Sequence, residues 1–283
     1  MKGFSRGQAG PPDRIRLLAL GLVLALCLCP TVATSAASRV HHGQLPAYRA
    51  QRNRLLSRPV AVSDARAYQA AIYTVGRAGS TPTTEPAPAD KVELVVFHVL
   101  PSGVTEWSWT DPATGSGRVD RFARNGALVQ STITIGTRAE FIGYARKEES
   151  FSPLPEPVHP GSSIGALRRE TRQQLRLAIP PWKKRGTAVV NGHTVRLYEQ
   201  DGPTRLADGA TGASANVASI APESMLVYRQ VLLDLRHGRR SLLSGYDYDY
   251  RVVARSRAAG ALLFRFVHLA GYSAAPPLPA QHT

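Results

Sequence analysis

Two Asn-Gly pairs limit the fold of this chain more than any other feature. Asn125-Gly126 lies between Arg118–Arg124 and Leu128–Ile135, and Asn191-Gly192 lies between Gly186–Val190 and His193–Gln200. The flanking runs alternate apolar and polar residues, which is the period of a half-buried strand. A tight two-residue hairpin needs positive φ at both central positions, and asparagine and glycine tolerate it best, so each pair marks a β-hairpin. Pro101-Ser102-Gly103 marks a third, between Val92–Leu100 and Val104–Thr110. The chain therefore has to build an antiparallel sheet.

The remaining segments extend that reading. Residues 38–62 form a lead-in with one or two helical turns around Ala47–Leu56. Ser63 could cap a helix through Asp64–Ala71, but Tyr68–Val75 reads as a first strand. Gly79–Asp90 is an exposed loop, and Ala139–Ser150 adds one more strand, which gives a meander of four to six. Four prolines in Ser152–Gly161 break the sheet. Ser163–Ala178 then reads as a helix with Ile164, Leu167, Thr171, Leu175 and Ala178 on one stripe, stopped by Pro180-Pro181. After a loop rich in small residues, Asp201–Ser219, strands are expected at Met225–Leu235, Ser241–Ala254 and Ala261–Ala270, and residues 271–283 read as a loose tail. In Ser241–Ala254 the residues Tyr246, Tyr248, Tyr250 and Val252 share one face, with Asp247, Asp249 and Arg251 on the other. Val92–Leu100 is largely apolar on both faces, as in a strand that is covered on both sides or that lines an apolar cavity. The expected fold is α+β: a large curved antiparallel sheet, an open half-barrel, with one or more helices over its concave face. Residues 63–270 form a single β-rich domain.

Residues 1–37 have another character. Lys2, Arg6, Arg14 and Arg16 precede the apolar run Leu17–Leu28, and the small residues Thr34-Ser35-Ala36-Ala37 follow. That is the layout of a signal peptide. The run is too short for a membrane-spanning helix, which needs about 20 residues. The mature protein is expected to begin near Ala37 or Ser38 and to act in the cell envelope or outside the cell. Cys27 and Cys29 fall within the removed segment, and each follows a leucine too bulky for a lipidation site. No disulfide is expected in the mature protein. The net charge is +15, supplied mostly by arginine. Export argues against nucleic acid as the partner of that charge and leaves anionic lipid or acidic polymers.

No residue is assigned a catalytic role. H-E-x-x-H, P-loop and dinucleotide fingerprints are absent. His41-His42 lacks a third metal ligand at useful spacing, and His98, His193, His237 and His268 fall in or beside strands. Glu148-Glu149 point to opposite faces of a strand, and Asp247-x-Asp249 lacks the glycine turn of a calcium loop. No metal or cofactor is expected. The basic series Arg168, Arg169, Arg172, Arg176, Lys183 and Lys184 fits a surface that meets anionic membrane. An apolar ligand cavity would draw on Val96, Phe97, Trp107, Trp109, Val231, Leu233, Phe264 and Phe266.

Three features together resemble the periplasmic lipoprotein-carrier fold of the LolA/RseB type and its exported lipid-binding lipoprotein relatives. They are the T-x-W-x-W of Thr105–Trp109 with the G-x-G-R of Gly115–Arg118, the hairpin Gly186–Leu197 around Val190-Asn191-Gly192, and the closing strand pair Leu226–Leu235 and Ser241–Val253. The usual D-x-x-T-x-x-P before the last turn is absent, and Asp234-Leu235-Arg236-His237-Gly238 stands in its place. The resemblance implies an open half-barrel with a helical lid and a non-enzymatic role. Its concave face would hold acyl chains, lipid or a lipidated polypeptide. Two other functions stay open: an envelope stress sensor acting on a membrane signalling protein, and a hydrolase of extracellular polymer.

Overall fold

A computed structural model describes residues 45–154, 163–205, 211–236 and 239–275. The expected signal segment with Cys27 and Cys29, His41-His42 and His237 lie outside the described residues. The elements are, in order, α1 (Leu45–Leu56), β1 (Val60–Val62), α2 (Ala65–Arg77), β2 (Ser80–Pro82), β3 (Lys91–Leu100), β4 (Val104–Asp111), β5 (Ser116–Phe122), β6 (Leu128–Ile135), β7 (Arg138–Gly143) and β8 (Glu148–Pro153). Then come α3 (Ile164–Leu177), β9 (Lys183–Val190), β10 (His193–Arg205), β11 (Thr211–Ile220), β12 (Val227–Asp234), β13 (Ser241–Ala254), α4 (Arg255–Gly260), β14 (Val267–Leu269) and β15 (Ser273–Ala274).

Thirteen of these strands form one open sheet in the order β15-β8-β7-β6-β5-β4-β3-β13-β12-β11-β10-β9, with β2 alongside β13. All pairs are antiparallel except β15 with β8. Strands β1 and β14 pair in parallel as a separate small sheet. The meander β3–β8 has six strands, because Ala139–Ser150 makes two strands rather than one, turning through Lys147 at φ 53°. The two Asn-Gly pairs behave differently. Asn191 and Gly192 both take positive φ, 51° and 79°, as a two-residue hairpin requires. At the other pair only Gly126 does, at 81°, and the chain closes a longer loop with Ala123 N–H bonded to the Ala127 carbonyl.

Several sequence expectations need correction. The expected loop Gly79–Asp90 contains β2, which pairs with β13, and the expected tail contains β15, where Ser273 and Ala274 pair with β8 and Tyr272 packs on the large core. Tyr68–Val75 is helix, not strand: the Asp64 side chain accepts the Arg66 and Ala67 N–H groups, and Tyr68, Ile72 and Gly76 are buried at helical spacing. Gly76 is required there, because a Cβ would sit within 2.7 Å of three Trp107 ring carbons. The small residues of Asp201–Ser219 are mostly strand, since β10 runs to Arg205 and β11 starts at Thr211. Ladders on both sides of β11 supply the backbone order that its side chains do not signal. Ala261–Ala270 contributes only the short β14, because Ala261, Leu263, Phe264 and Phe266 are all buried as a plug on the sheet and alternate with nothing.

The sheet carries two cores, and β3 belongs to both. Val92, Leu94 and Val96 join a large core with Trp107, Trp109, Phe122, Ile133 and Ile142, closed by α2 and by residues 258–269. Val95 and Phe97 point the other way, into a smaller core with Tyr228 and Tyr250, closed by Ile164 and Leu167 of α3. The two cores therefore lie on opposite faces of β3.

Candidate functional site

The structure divides the eight cavity residues read from sequence. Val96, Trp107, Trp109, Phe264 and Phe266 meet in the large core. They pack under α2 and residues 258–269, with Tyr73 stacked on Trp107 at 5.8 Å, and not under α3. Val231 and Leu233 are half-buried and belong to neither core, and Phe97 is in the smaller one.

A buried polar network runs through the large core. Arg118, 1% exposed, donates from Nε to both oxygens of Asp120 at 2.8 and 2.9 Å, from Nη1 to Tyr68 Oη at 2.7 Å and from Nη2 to Ser131 Oγ at 2.9 Å. Trp109 Nε1 donates to Asp120 at 2.8 Å, and Ser131 Oγ lies 3.0 Å from Tyr144 Oη. Burial opposes the guanidinium charge, yet Asp120 beside it holds Arg118 protonated. Burial pushes the Tyr68 and Tyr144 phenols up, so both stay neutral. Two more buried carboxylates fasten β14 to the sheet: Glu140 accepts Val267 N–H at 3.0 Å, and Glu149 accepts Leu269 N–H at 3.1 Å and contacts His268. Burial raises Glu140 from an ordinary 4.5 to about 8. These groups are locked in place and fill the face where a cavity was expected.

The other face is built differently. Tyr246, Tyr248 and Tyr250 line up along β13, 6.3 and 6.4 Å between successive rings, and Phe97 sits edge-on to Tyr248 at 5.2 Å. Tyr228 meets Tyr250 edge-on at 5.6 Å and stacks on His193 at 4.1 Å. Helix α3 roofs this aromatic floor but buries only Ile164 and Thr171 of its fourteen residues. The roof is held at its N-terminal end. Ser163 caps it through Ala166 N–H, and Glu93, buried in β3, accepts Ile164 N–H at 2.8 Å and Ala87 N–H at 2.9 Å. Arg168 grips both carboxylate oxygens of Glu85, at 2.9 and 3.1 Å, and also donates to the Thr84 carbonyl. Burial raises the Tyr248 phenol, with Tyr246 and the α3 residue Glu170 adding to the effect, and burial also raises Glu170 itself. Beside the floor lies a cavity of about 260 Å³ lined by Tyr228, Tyr248, His193, His98, Asn191, Asp247 and Asp249. Pockets for drug-sized ligands measure about 300–1,000 Å³, so this space is smaller than such a pocket. An open depression of about 540 Å³ at Asp201–Pro203 and Gly212–Ser214 offers mostly small side chains and backbone.

No protein-family model matches this sequence, and no curated protein matches it. Among solved structures, it is similar to an uncharacterized conserved protein from Thermus thermophilus at 12% identity and a TM-score of 0.37, covering 66% of this chain and 90% of that one. It is also similar to LprF from Mycobacterium bovis at 12% identity and a TM-score of 0.28, covering 67% of this chain and 93% of that one. Likeness this weak says nothing about function.

Other residues singled out in the sequence separate here. Arg168 belongs to the clasp on Glu85, and Lys183 pairs with Asp201 at 2.9 Å, while Arg169, Arg172, Arg176 and Lys184 are exposed without an ion partner among the described residues. Asp247 and Asp249 are taken up by Arg229 and Arg251. Gly161-Ser162-Ser163-Ile164-Gly165 has the spacing of a nucleophile elbow, which the sequence reading passed over. Its central Ser163 instead spends its hydroxyl oxygen on the α3 cap. Among the described residues no cluster of three His, Cys, Asp or Glu could hold a metal, and no helix is long and apolar enough to cross a membrane. Glu93 and Glu140 were missed altogether. A single glutamate inside an apolar strand was the only available signal.

Proposed function

We propose that this protein is an exported, non-enzymatic binding protein that holds a hydrophobic or amphipathic ligand between α3 and the tyrosine row of β13. One observation carries the reading: an aromatic floor, buried at Tyr228 and Tyr250 and half-buried at Phe97, Tyr246 and Tyr248, lies beneath a helix that is clasped at one end and buries two residues. Aromatic walls with a few polar groups at their rim are the usual make-up of such sites. Phenol hydroxyls, Glu170 and the histidines favour a ligand with an apolar body and a polar end. The sequence resemblance to lipid and lipoprotein carriers supports the same class of ligand, while the filled core around Trp107 moves the proposed site to the Tyr248 face.

The test is a titration with a fluorescent fatty acid on the native protein, Tyr248→Ala and Trp107→Ala. Native protein should bind saturably. Tyr248→Ala should lose that binding at a cost of about 1–2 kcal/mol in stability, whereas Trp107→Ala should cost about 3–5 kcal/mol, as for a packed aromatic. Absence of saturable binding by the native protein removes the proposal.

A further inference from the structure

The end of α3 and the residues after it form an exposed apolar tip. Leu177 is 66% exposed and Ile179 94%. Pro180 and Pro181 are exposed as well, with Trp182 half-buried. The tip is held against the sheet, because Gln200 Nε2 in β10 donates to the Pro180 carbonyl at 2.5 Å. Around it stand Arg172 and Arg176 on the last turns of α3 and Lys184 at the start of β9, all exposed and without an ion partner among the described residues. The acids of the adjacent β10 are already engaged, Asp201 by Lys183 and Glu199 by Arg185 and Arg240.

Two aliphatic side chains on a projecting turn bury too little area for a protein interface, which needs roughly 800 Å² per partner. They do suit an interface that needs no matching shape. In a bilayer surface, apolar side chains enter the acyl boundary while cations stay at the level of the phosphates. We propose that this tip docks the protein on an anionic phospholipid surface, with Leu177 and Ile179 inserted and Arg172, Arg176 and Lys184 against the headgroups. The inference is independent of the ligand site beneath α3.

Flotation with phosphatidylcholine vesicles, with and without phosphatidylglycerol, tests it on the purified protein. Binding should require phosphatidylglycerol and should fall as salt rises, because exposed charges are screened within about 10 Å at 0.1 M. Arg172→Glu with Arg176→Glu should weaken binding about tenfold or more. Leu177→Ser with Ile179→Ser should do the same at every salt concentration. These four side chains are exposed, so unchanged thermal melts show that the variants are folded. The proposal is overturned by equal binding to neutral vesicles or by a serine variant that binds as well as native. It is equally overturned by a native protein that ignores vesicles and sediments as a dimer abolished by the serine pair, because a second copy then covers the tip.

Discussion

The core under α2 and the core under α3 share a sheet and even a strand, but they are closed by different means. Under α2, aromatic and aliphatic residues of six strands meet a helix, a plug and a polar network in which Arg118, Asp120, Ser131, Tyr68 and Trp109 are all hydrogen-bonded. Under α3, tyrosines form the floor, and the roof hangs on Glu93 and on the Arg168–Glu85 pair. The first region is closed by buried side chains and by a network of buried hydrogen bonds, which support one another in a low-dielectric interior. The second is closed by fewer buried helix residues, Ile164 and Thr171. On the proposed reading, one sheet separates the task of staying folded from the task of admitting a ligand.

The largest effect that could break this contrast is loss of Asp120. Asp120→Ala leaves the buried Arg118 charge without its counter-ion, and should cost about 3–5 kcal/mol in a urea melt. A cost under about 1 kcal/mol would mean that the network does not hold this half together. The next effect concerns pH. Folded Glu140 titrates near 8 against an ordinary 4.5, because burial favours the neutral acid. Between those values the folded state holds a proton that the unfolded state has released, so stability falls as pH rises through that window and is regained below it. Glu149 adds to the upward shift while Arg118 opposes it. Glu140→Gln should therefore flatten the profile, gaining about 1–3 kcal/mol over native near pH 8 and little near pH 4. An unchanged slope would show that other groups set it.

The smallest effect sharpens the comparison from the other side. Ser163→Ala removes the α3 cap and should cost about 1 kcal/mol. Hydrogen exchange should quicken in the α3 amides and stay as in native protein in β5 and β6, because α3 opens as a local unit. Uniform acceleration across both cores would mean that the roof and the large core are one cooperative body.

Much of this contrast could be read from the sequence where local rules decide it. The stripe and the proline stop bounded α3 correctly at Ser163 and Ala178, and the structure adds the Ser163 cap. The two faces of β13 followed from period two, and the doubly apolar Val92–Leu100 announced a strand shared by two cores. What stayed hidden depends on partners distant in sequence. Tyr68–Val75 is apolar enough for either element, and only Asp64 and the close approach of Gly76 to Trp107 settle it as helix. Arg118 meets Tyr68 across 50 residues, and no local pattern reports that. Assigning Trp107, Phe264 and Phe266 to a cavity rested on their being apolar, which a packed core also requires.

The sheet's two outer edges have a further consequence. One is covered in part by Ser273–Ala274, which pair with Glu148 and Glu149 of β8, while β9 has a strand on one side only among the described residues. Its first three residues, Lys183, Lys184 and Arg185, are cationic; Lys183 and Arg185 are paired with Asp201 and Glu199 of β10, and Lys184 is left to repel a second copy, as charged edges resist sheet growth. Its last four, Thr187 to Val190, are uncharged, with Val189 73% exposed. At high protein concentration, or where salt mutes the Lys184 charge, ribbon-like self-association would begin at this half-strand, and a lysine at position 189 would extend the charged guard along the whole rim.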